Sequence, residues 1–249
     1  MNSLLAGKVA FVTGSSTGLG RAIVEEFAAA GAIGAGFDIE DGDTLPGGWL
    51  DIRGDVTVED EIAAAVARIG DEHGRLDSVV ANAGLVPPWS ETENIDLDEW
   101  DHVFAVNVRG VIATIKHSVP LMKRDGGSIV VMGSLNSRRA HGRQCLYTAS
   151  KHAVLGIVRA TALDLGRYGI RVNALGPGPI ATDALLGRLH KRVGDGEPVP
   201  DEVLAQFASD TALGRMATEQ DVARAAVFLA SELSSGMTGQ ILPVDAGLA

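Results

Sequence analysis

The sequence predicts an α/β protein built on one doubly wound parallel sheet, with helices on both faces. Three observations predict this class. Short apolar runs of β type alternate with helical patterns along the 249 residues. The runs are continuously apolar, which is typical of strands covered on both faces. The length suits one domain, and a hydrophobic content of 46% is ample for its core. We therefore expect a single domain over residues 1–249.

The predicted elements follow one another in regular order. The predicted strands occupy 8–14, 32–38, 48–56, 76–84, 127–134, 170–178 and 239–247. The predicted helices lie between them, at 19–30, 59–69, 96–124, 146–168 and 221–231. This alternation, with right-handed crossovers, generates a parallel sheet. The segment 180–215 has loop composition, so we expect it to form a substrate lid or, alternatively, a plain surface excursion.

Composition excludes several functional classes. The chain carries 21 basic and 32 acidic residues, a net charge of −11, which disfavours a protein that follows nucleic-acid phosphates. The six histidines are scattered and there is one cysteine, so no metal motif is present. No apolar run approaches the ~18 residues of a membrane span, and the N-terminus lacks a signal-peptide pattern. We expect a cytoplasmic protein without metal, membrane or nucleic-acid partners.

The stretch TGSSTGLG, residues 13–20, joins the first predicted strand to the first helix. Its glycines have separable uses in a dinucleotide site. Gly14 permits a sharp turn, Gly18 leaves room for a pyrophosphate beside the backbone, and Gly20 allows close helix packing. The helix N-terminus adds N–H donors. A merely tight turn would also explain the spacing, but the strand–turn–helix context favours a dinucleotide.

Acidic and amide residues follow the next strands at the same edge of the sheet. Asp38 ends the second strand, 18 residues beyond Gly20, where a carboxylate can accept from both ribose hydroxyls. It would repel a 2′-phosphate, so we expect NAD rather than NADP. Asp55 ends the third strand near the adenine edge. The motif NAG, residues 82–84, ends the fourth strand beside the cofactor crevice.

The motif YTASK places Tyr147 and Lys151 four residues apart on one face of a helix. A phenol ordinarily titrates near pH ~10, and a nearby ammonium lowers its pKa toward neutrality. Tyr147 then becomes a usable acid or base. Ser134 ends the fifth strand, at the same edge of the sheet as the glycine loop. Ligands of open α/β sheets bind at that edge.

With these residues together, the sequence resembles the short-chain dehydrogenase/reductase family over essentially its full length. TGSSTGLG, NAG, Asn107 in FAVNVRG, Ser134, YTASK and NALGPGPIAT occur in the family's order. The resemblance implies a Rossmann-like fold and a homotetramer in which two long helices (98–124 and 146–168) pair between subunits. It also implies reversible hydride transfer between the nicotinamide C4 and the carbon of a secondary alcohol or ketone.

The resemblance further implies roles for individual residues. Tyr147 would be the general acid/base, Lys151 would hold the ribose, Ser134 would bond the substrate oxygen and Asn107 would anchor a water. The implied substrate residues are Ser134, Asn136, Gln144 and Tyr147. The predicted cofactor site comprises Gly14, Ser16, Thr17, Gly18, Leu19, Gly20, Asp38, Asp55, Val56, Asn82, Ala83, Gly84, Tyr147, Lys151, Pro177, Gly178, Ile180 and Thr182.

The substrate is left open by the sequence. Between Ser134 and Tyr147 lie four basic side chains, those of Arg138, Arg139, His141 and Arg143. They fit a polar substrate with hydroxyl groups or a carboxylate, but also a solvated loop or a subunit contact. Four other residues could form an apolar wall, or could equally be core or interface residues: Trp89, Leu185, Leu186 and Leu189.

The favoured hypothesis is an NAD-dependent dehydrogenase of a secondary alcohol, which includes polyols, sugars and hydroxyacids. Two alternatives remain. A 3-oxoacyl carrier protein reductase using NADPH carries the same motifs, and Arg109, Lys116 and Arg124 would supply a docking patch for its acidic carrier. A dinucleotide-sensing module without catalysis has no need of Ser134, Tyr147 and Lys151 together.

Overall fold

Seven parallel strands form one sheet in the computed structural model, which describes residues 3–41, 44–182, 185–187, 189 and 199–248. Across the sheet their order is β3-β2-β1-β4-β5-β6-β7. The order reverses between β1 and β4, so a crevice opens there at the carboxyl ends of the strands. The bounds are β1 Val9–Thr13, β2 Ile33–Asp38, β3 Trp49–Arg53, β4 Ser78–Ala81, β5 Gly127–Met132, β6 Ile170–Pro177 and β7 Ile241–Val244.

Helices cover both faces of the sheet, as the continuous apolar strands predict. The described helices are α1 Gly18–Ala29, α2 Glu59–His73, α3 Leu97–Phe104, α4 Val111–Met122, α5 Cys145–Leu165, α6 Pro200–Ser209 and α7 Glu219–Ala230. On one face, α1 and α7 bury Phe27 and Val222 against the sheet. On the other, α2, α4 and α5 bury Ile62, Ile115 and Val158. The predicted fold class is confirmed.

The helix predicted over 96–124 is not continuous. Between α3 and α4 the chain makes a π-helical turn, Ala105–Gly110. Val56 lies against this turn: a Cβ added to Gly110 would come within 3.0 Å of its Cγ2 atom. The turn buries the Asn107 side chain completely. Single-turn π segments commonly mark functional positions, and this one carries a predicted catalytic residue.

The segment predicted as a loop, 180–215, contains a helix that the prediction omitted. Helix α6 starts with Pro200, and Asp201 and Glu202 stand in its first turn. Proline suits the first helical position because no intrahelical donor is needed there, and carboxylates near a helix N-terminus favour its dipole. Residues 183–184, 188 and 190–198 of this segment lie outside the described residues. None of the helices in the described ranges has the length and apolarity needed to cross a membrane.

Candidate active site

The glycine loop leaves β1 at the point where the sheet order reverses. The Gly14 N–H donates to the Phe37 carbonyl on β2 (2.8 Å), which closes the turn against the neighbouring strand. The Asn82 side-chain amide donates to the Thr13 and Gly14 carbonyls at 3.1 and 3.0 Å. The Thr13 hydroxyl in turn accepts from the Asn82 and Ala83 N–H groups. These hydrogen bonds hold the ends of β1 and β4 together, and the Asn82 side chain holds the glycine loop in place.

Each of the three glycines in the loop is required by its position. A Cβ at Gly14 would lie 2.8 Å from the Ala83 Cα, and one at Gly20 would lie 1.7 Å from the Gly14 carbonyl oxygen. Gly18 instead has a φ of +54°, and the nearest atom to a Cβ there is Glu219 Oε1, at 3.8 Å. Gly14 and Gly20 are constrained by the protein itself. Gly18 leaves a cradle at the start of α1 that fits a pyrophosphate.

Asp38 stands at the end of β2 with its carboxylate held in place. One oxygen accepts from the Ser16 N–H at 2.9 Å, and the other accepts from the Glu40 N–H at 3.1 Å. The Ser16 hydroxyl donates to the Glu40 carbonyl. A carboxylate oxygen has more than one acceptor site, so ribose hydroxyls can still bind there. Ser16, which is predicted to contact the cofactor, thus also holds the Asp38 carboxylate in place.

The other predicted cofactor residues line the same edge of the sheet. Asp55 accepts from the Thr57 N–H at 2.8 Å, and its own N–H donates to Glu61. Gly178 follows β6, and its N–H donates to the Val244 carbonyl of β7. Of the remaining members, Thr17 precedes α1 and Leu19 lies in its first turn. Val56 packs under the π-helical turn, and Pro177 ends β6. Ile180 is bridged to Ala217, and the Thr182 hydroxyl accepts from the Leu185 N–H.

Lys151 is buried beside the ring of Tyr147. Its ammonium lies 5.7 Å from the centre of that ring and donates to the Met132 carbonyl at 2.8 Å. Burial lowers the pKa of Lys151 to about 8. The group is still a cation at neutral pH, so it favours the phenolate form of Tyr147. The predicted pair of Tyr147 and Lys151 is therefore present in space as well as in sequence.

Asn107 is fixed by its own hydrogen bonds within the π-helical turn. Its side-chain oxygen accepts from the Leu85 N–H at 2.7 Å, and its amide donates to the Leu85 carbonyl and to the Ser150 hydroxyl. A Cβ added to Gly84 would lie 3.2 Å from the Asn107 oxygen and 3.7 Å from the Lys151 ammonium. The NAG motif, Asn107 and Lys151 therefore converge at one place.

Ser150 is a site residue that the sequence analysis missed. Its hydroxyl is buried, accepts from Asn107 and donates to the Tyr147 carbonyl at 2.9 Å. It thereby joins the π-helical turn to the helix that carries Tyr147. The available signal was its position inside YTASK. Thr13, which ties β1 to β4, was missed in the same way although it directly precedes Gly14.

Ser134 lies at the carboxyl end of β5, largely buried, and its hydroxyl accepts from the Asn136 N–H at 3.2 Å. The two residues predicted to point toward the substrate contact each other. The Asn136 amide donates to the Gln144 side-chain oxygen at 2.8 Å and to the Thr148 hydroxyl at 3.1 Å. Asn136 is buried, so this network braces the wall of the site before α5.

A pocket with a cavity volume of about 20 Å³ lies beside Tyr147. Most of its walls are apolar. The lining residues are Val86, Pro87, Pro88, Trp89, Ser90, Ile95, Glu99, Arg143, Gln144, Cys145, Leu146 and Tyr147. Trp89 thus belongs to the wall of the site. Within the described ranges, no group of three or more His, Cys, Asp or Glu side chains is placed to hold a metal ion.

Comparison with known proteins gives consistent matches over the whole chain. A family model described as enoyl-(acyl carrier protein) reductase matches residues 14–249. The (+)-borneol dehydrogenase 2 of Salvia officinalis is 39% identical over 256 residues, covering 98% of this chain and 89% of the relative. The ligand-free aldohexose dehydrogenase of Thermoplasma acidophilum has a TM-score of 0.92 at 32% identity, covering 100% of this chain and 96% of its own. A carveol dehydrogenase from Mycobacterium avium, solved with NAD, has a TM-score of 0.89 at 31% identity and covers 98% of both chains.

Proposed function

The chain belongs to the short-chain dehydrogenase/reductase family, and from this membership we propose that it oxidises alicyclic secondary alcohols to ketones with NAD, reversibly. It is an oxidoreductase that acts on CH–OH groups, as its named relatives are. The alicyclic class is supported by the relatives named for borneol and carveol, both ring alcohols, and by the apolar walls of the pocket beside Tyr147.

We assign the proton chemistry to four side chains. Tyr147 acts as the phenolate, which the adjacent Lys151 cation stabilises; it takes the hydroxyl proton of the alcohol and becomes the neutral phenol as hydride leaves the carbinol carbon. Ser134 bonds the substrate oxygen and fixes its distance from Tyr147. Asn107 holds the Leu85 backbone and, through Ser150, the start of α5. When bound, the nicotinamide ring accepts hydride from the carbinol carbon.

One observation carries this proposal: the buried Lys151 ammonium lies 5.7 Å from the centre of the Tyr147 ring, at the crevice that begins with the glycine loop. A dinucleotide sensor would have no use for this pair. The test is the formation of NADH from borneol, carveol and cyclohexanol by wild type and by Tyr147→Phe. General acid–base catalysis contributes about 10²–10⁴-fold, so a loss of that size is expected, with NAD affinity retained by calorimetry.

The chain supplies a matched control for that test in its second tyrosine. Tyr168 follows α5 at its far end and packs against Lys123 and Arg167. Tyr168→Phe removes the same hydroxyl from a remote position and is expected to turn over like wild type. Equal activity of the Tyr147→Phe and Tyr168→Phe variants would refute the catalytic assignment. Absence of turnover in wild type as well as in both variants would leave the sensor as the better hypothesis.

The preference for NAD over NADP rests on Asp38. Its carboxylate is held by the Ser16 and Glu40 N–H groups in the position where a 2′-phosphate would meet its charge. The ratio of kcat/KM with NAD to kcat/KM with NADP measures this preference. We expect Asp38→Asn to lower the ratio at least tenfold, because the repulsion is removed while the size is kept. An unchanged ratio would refute the role of Asp38.

The alternative of a 3-oxoacyl carrier protein reductase has weaker support, because the cations of its docking patch are already engaged. Arg109 and Lys116 both form ion pairs with Glu59, and Arg124 pairs with Asp125. The Lys116 ammonium, with His117, lowers the pKa of Glu59 to about 2, so that carboxylate stays charged. Turnover of acetoacetyl thioesters with NADPH, and none of ring alcohols with NAD, would favour the alternative.

We further infer a homotetramer that uses the outer faces of α4 and α5. Leu163 on α5 is 85% exposed and Ile112 on α4 is 39% exposed, and a partner subunit on these faces would cover both apolar side chains. The segment 180–215 is proposed to serve as the lid, since Ile180 and Thr182 begin it directly after β6. A cytoplasmic location is part of the same proposal, and cell fractionation tests it.

A further inference from the structure

Two loops meet at the rim of the pocket beside Tyr147. The first, residues 85–95, follows β4 and the NAG motif, and the second, residues 138–144, leads into α5. The Ser90 N–H donates to the Arg143 carbonyl at 2.9 Å. The Arg143 Nε atom lies 3.2 Å from Glu91 Oε1. A backbone hydrogen bond and an ion pair therefore join the loops at one residue, Arg143.

The backbone of Arg143 is held in an unusual conformation. Its φ is +62°, a region that residues other than glycine rarely occupy and that costs on the order of 1 kcal/mol. Such a conformation persists where its surroundings enforce it. Here it directs the chain from the second loop into Gln144 and the start of α5, four residues before Tyr147. The position of the Arg143 cation is therefore set by the same contacts that build the pocket.

The charges around the pocket do not favour an acidic ligand. Among the described lining residues, the charged side chains are Arg143 and Glu99. Arg143 is paired with Glu91, and Glu99 contributes a carboxylate to the lining of the pocket. The amide of Gln144 is in contact with Asn136. An anionic substituent on the substrate would lose water and meet a cation that already has a carboxylate partner.

We propose that Glu91 is a specificity-determining residue: by pairing with Arg143 at the rim it makes the pocket select ring alcohols without an acidic substituent. This inference rests on the proposed function and specifies the substrate class of that same site. Glu91 acts through Arg143, so it is a positioning residue and takes no part in the proton chemistry. The basic loop around Arg143 then does not serve to bind a substrate carboxylate.

The test compares two substrates of nearly the same shape, 4-hydroxycyclohexanecarboxamide and 4-hydroxycyclohexanecarboxylate. The measured quantity is the ratio of their kcat/KM values, with NAD at saturation. Wild type is expected to favour the carboxamide. Glu91→Gln removes the carboxylate that competes for Arg143, and we expect it to shift the ratio toward the carboxylate by roughly two- to fivefold. The pair is about half exposed, which keeps the expected effect in this range.

The matched control is Glu93→Gln, in the short turn Thr92–Asn94 of the same loop. It changes the net charge equally but leaves the Arg143 pair intact, so the ratio should stay at the wild-type value. Glu91→Asp keeps the charge and is expected to restore the wild-type preference. The shift in Glu91→Gln should shrink between 0.05 and 0.5 M NaCl, because it is electrostatic.

A second variant separates charge from folding. In Glu91→Gln/Arg143→Gly, glycine tolerates the positive φ and removes the cation, so the gain for the carboxylate should disappear while the fold is kept. If Glu91→Gln and Glu93→Gln give the same ratio, or if wild type already favours the carboxylate, the role of Glu91 is refuted. If neither alcohol is oxidised by any variant, the proposed function itself fails, which is a separate outcome.

Discussion

Burial of the Lys151 ammonium makes a prediction about stability that is independent of any substrate. The pKa of Lys151 is lowered from 10.5 to about 8 in the folded protein, because burial penalises the charged form. Between those values the unfolded chain holds a proton that the folded protein has released. Stability contributed by this group therefore rises with pH through that window, and below pH 8 the buried charge opposes folding.

The magnitude follows from the two pKa values. Each pH unit well inside the window is worth about 1.4 kcal/mol, and the linkage relation gives about 1.3 kcal/mol between pH 7 and pH 9. Lys151→Met keeps the length of the side chain but cannot titrate. We expect the free energy of unfolding of wild type to rise by about 1.3 kcal/mol relative to this variant over that interval. Lys151→Met should also lose turnover, because Tyr147 loses its cation.

The assay is urea unfolding of the apo protein at pH 7, 8 and 9, followed by circular dichroism at one protein concentration. Lys123→Met, at an exposed lysine, is the control and should follow the pH dependence of wild type. If Lys151→Met and wild type show the same dependence, Lys151 does not titrate in this range. A pKa lowered by burial to about 8 would then be refuted.

Three further predictions concern the loop, the site and the assembly. Gly20→Ala places a Cβ 1.7 Å from the Gly14 carbonyl oxygen, so calorimetry should show at least tenfold weaker NAD binding. Gly166→Ala, whose Cβ meets no atom within 4 Å, should bind normally, and equal binding by both would contradict the steric argument. Ser150→Ala removes the hydroxyl that links Asn107 to the Tyr147 carbonyl. We expect kcat to fall roughly tenfold and the free energy of unfolding to fall by about 1–2 kcal/mol. An unchanged kcat would show that the link is purely structural. Leu163→Asp puts a charge on the exposed α5 face and should reduce the mass measured by light scattering, whereas an unchanged mass would exclude that face as an interface.

Much of the sheet could be predicted because its signals are local. Runs such as Val9–Thr13 and Gly127–Met132 are largely apolar, and each is followed within two residues by a member of the predicted site, Gly14 or Ser134. Parallel strands bring their carboxyl ends to one edge, so Gly14, Asp38 and Ser134 share that edge whatever the details of packing. The glycine spacing and YTASK therefore place the predicted site at that edge of the sheet.

The features that the sequence did not predict depend on contacts between distant parts of the chain. Apolar residues continue through 96–124, so the period of that stretch gives no sign of the π-helical turn, which is packed against Val56. Asn136 and Gln144 are eight residues apart, and their contact exists only because the loop between them folds back before α5. The helix α6 was missed for a different reason. Its signal, Pro200 followed by two acidic residues, was present but lay in a segment dominated by loop-forming residues.

The π-helical turn at Ala105–Gly110 also constrains how this gene can change in length. A π turn accommodates one residue more than an α-helix does over the same path. Deleting a single residue there would restore regular α-helical hydrogen bonding, and α3 and α4 would keep their paths. Val111 and Ile115 would stay in the core, whereas Asn107 would lose the turn that holds its side chain beside Leu85. The extra residue is therefore needed for the position of Asn107 and not for the packing of α4.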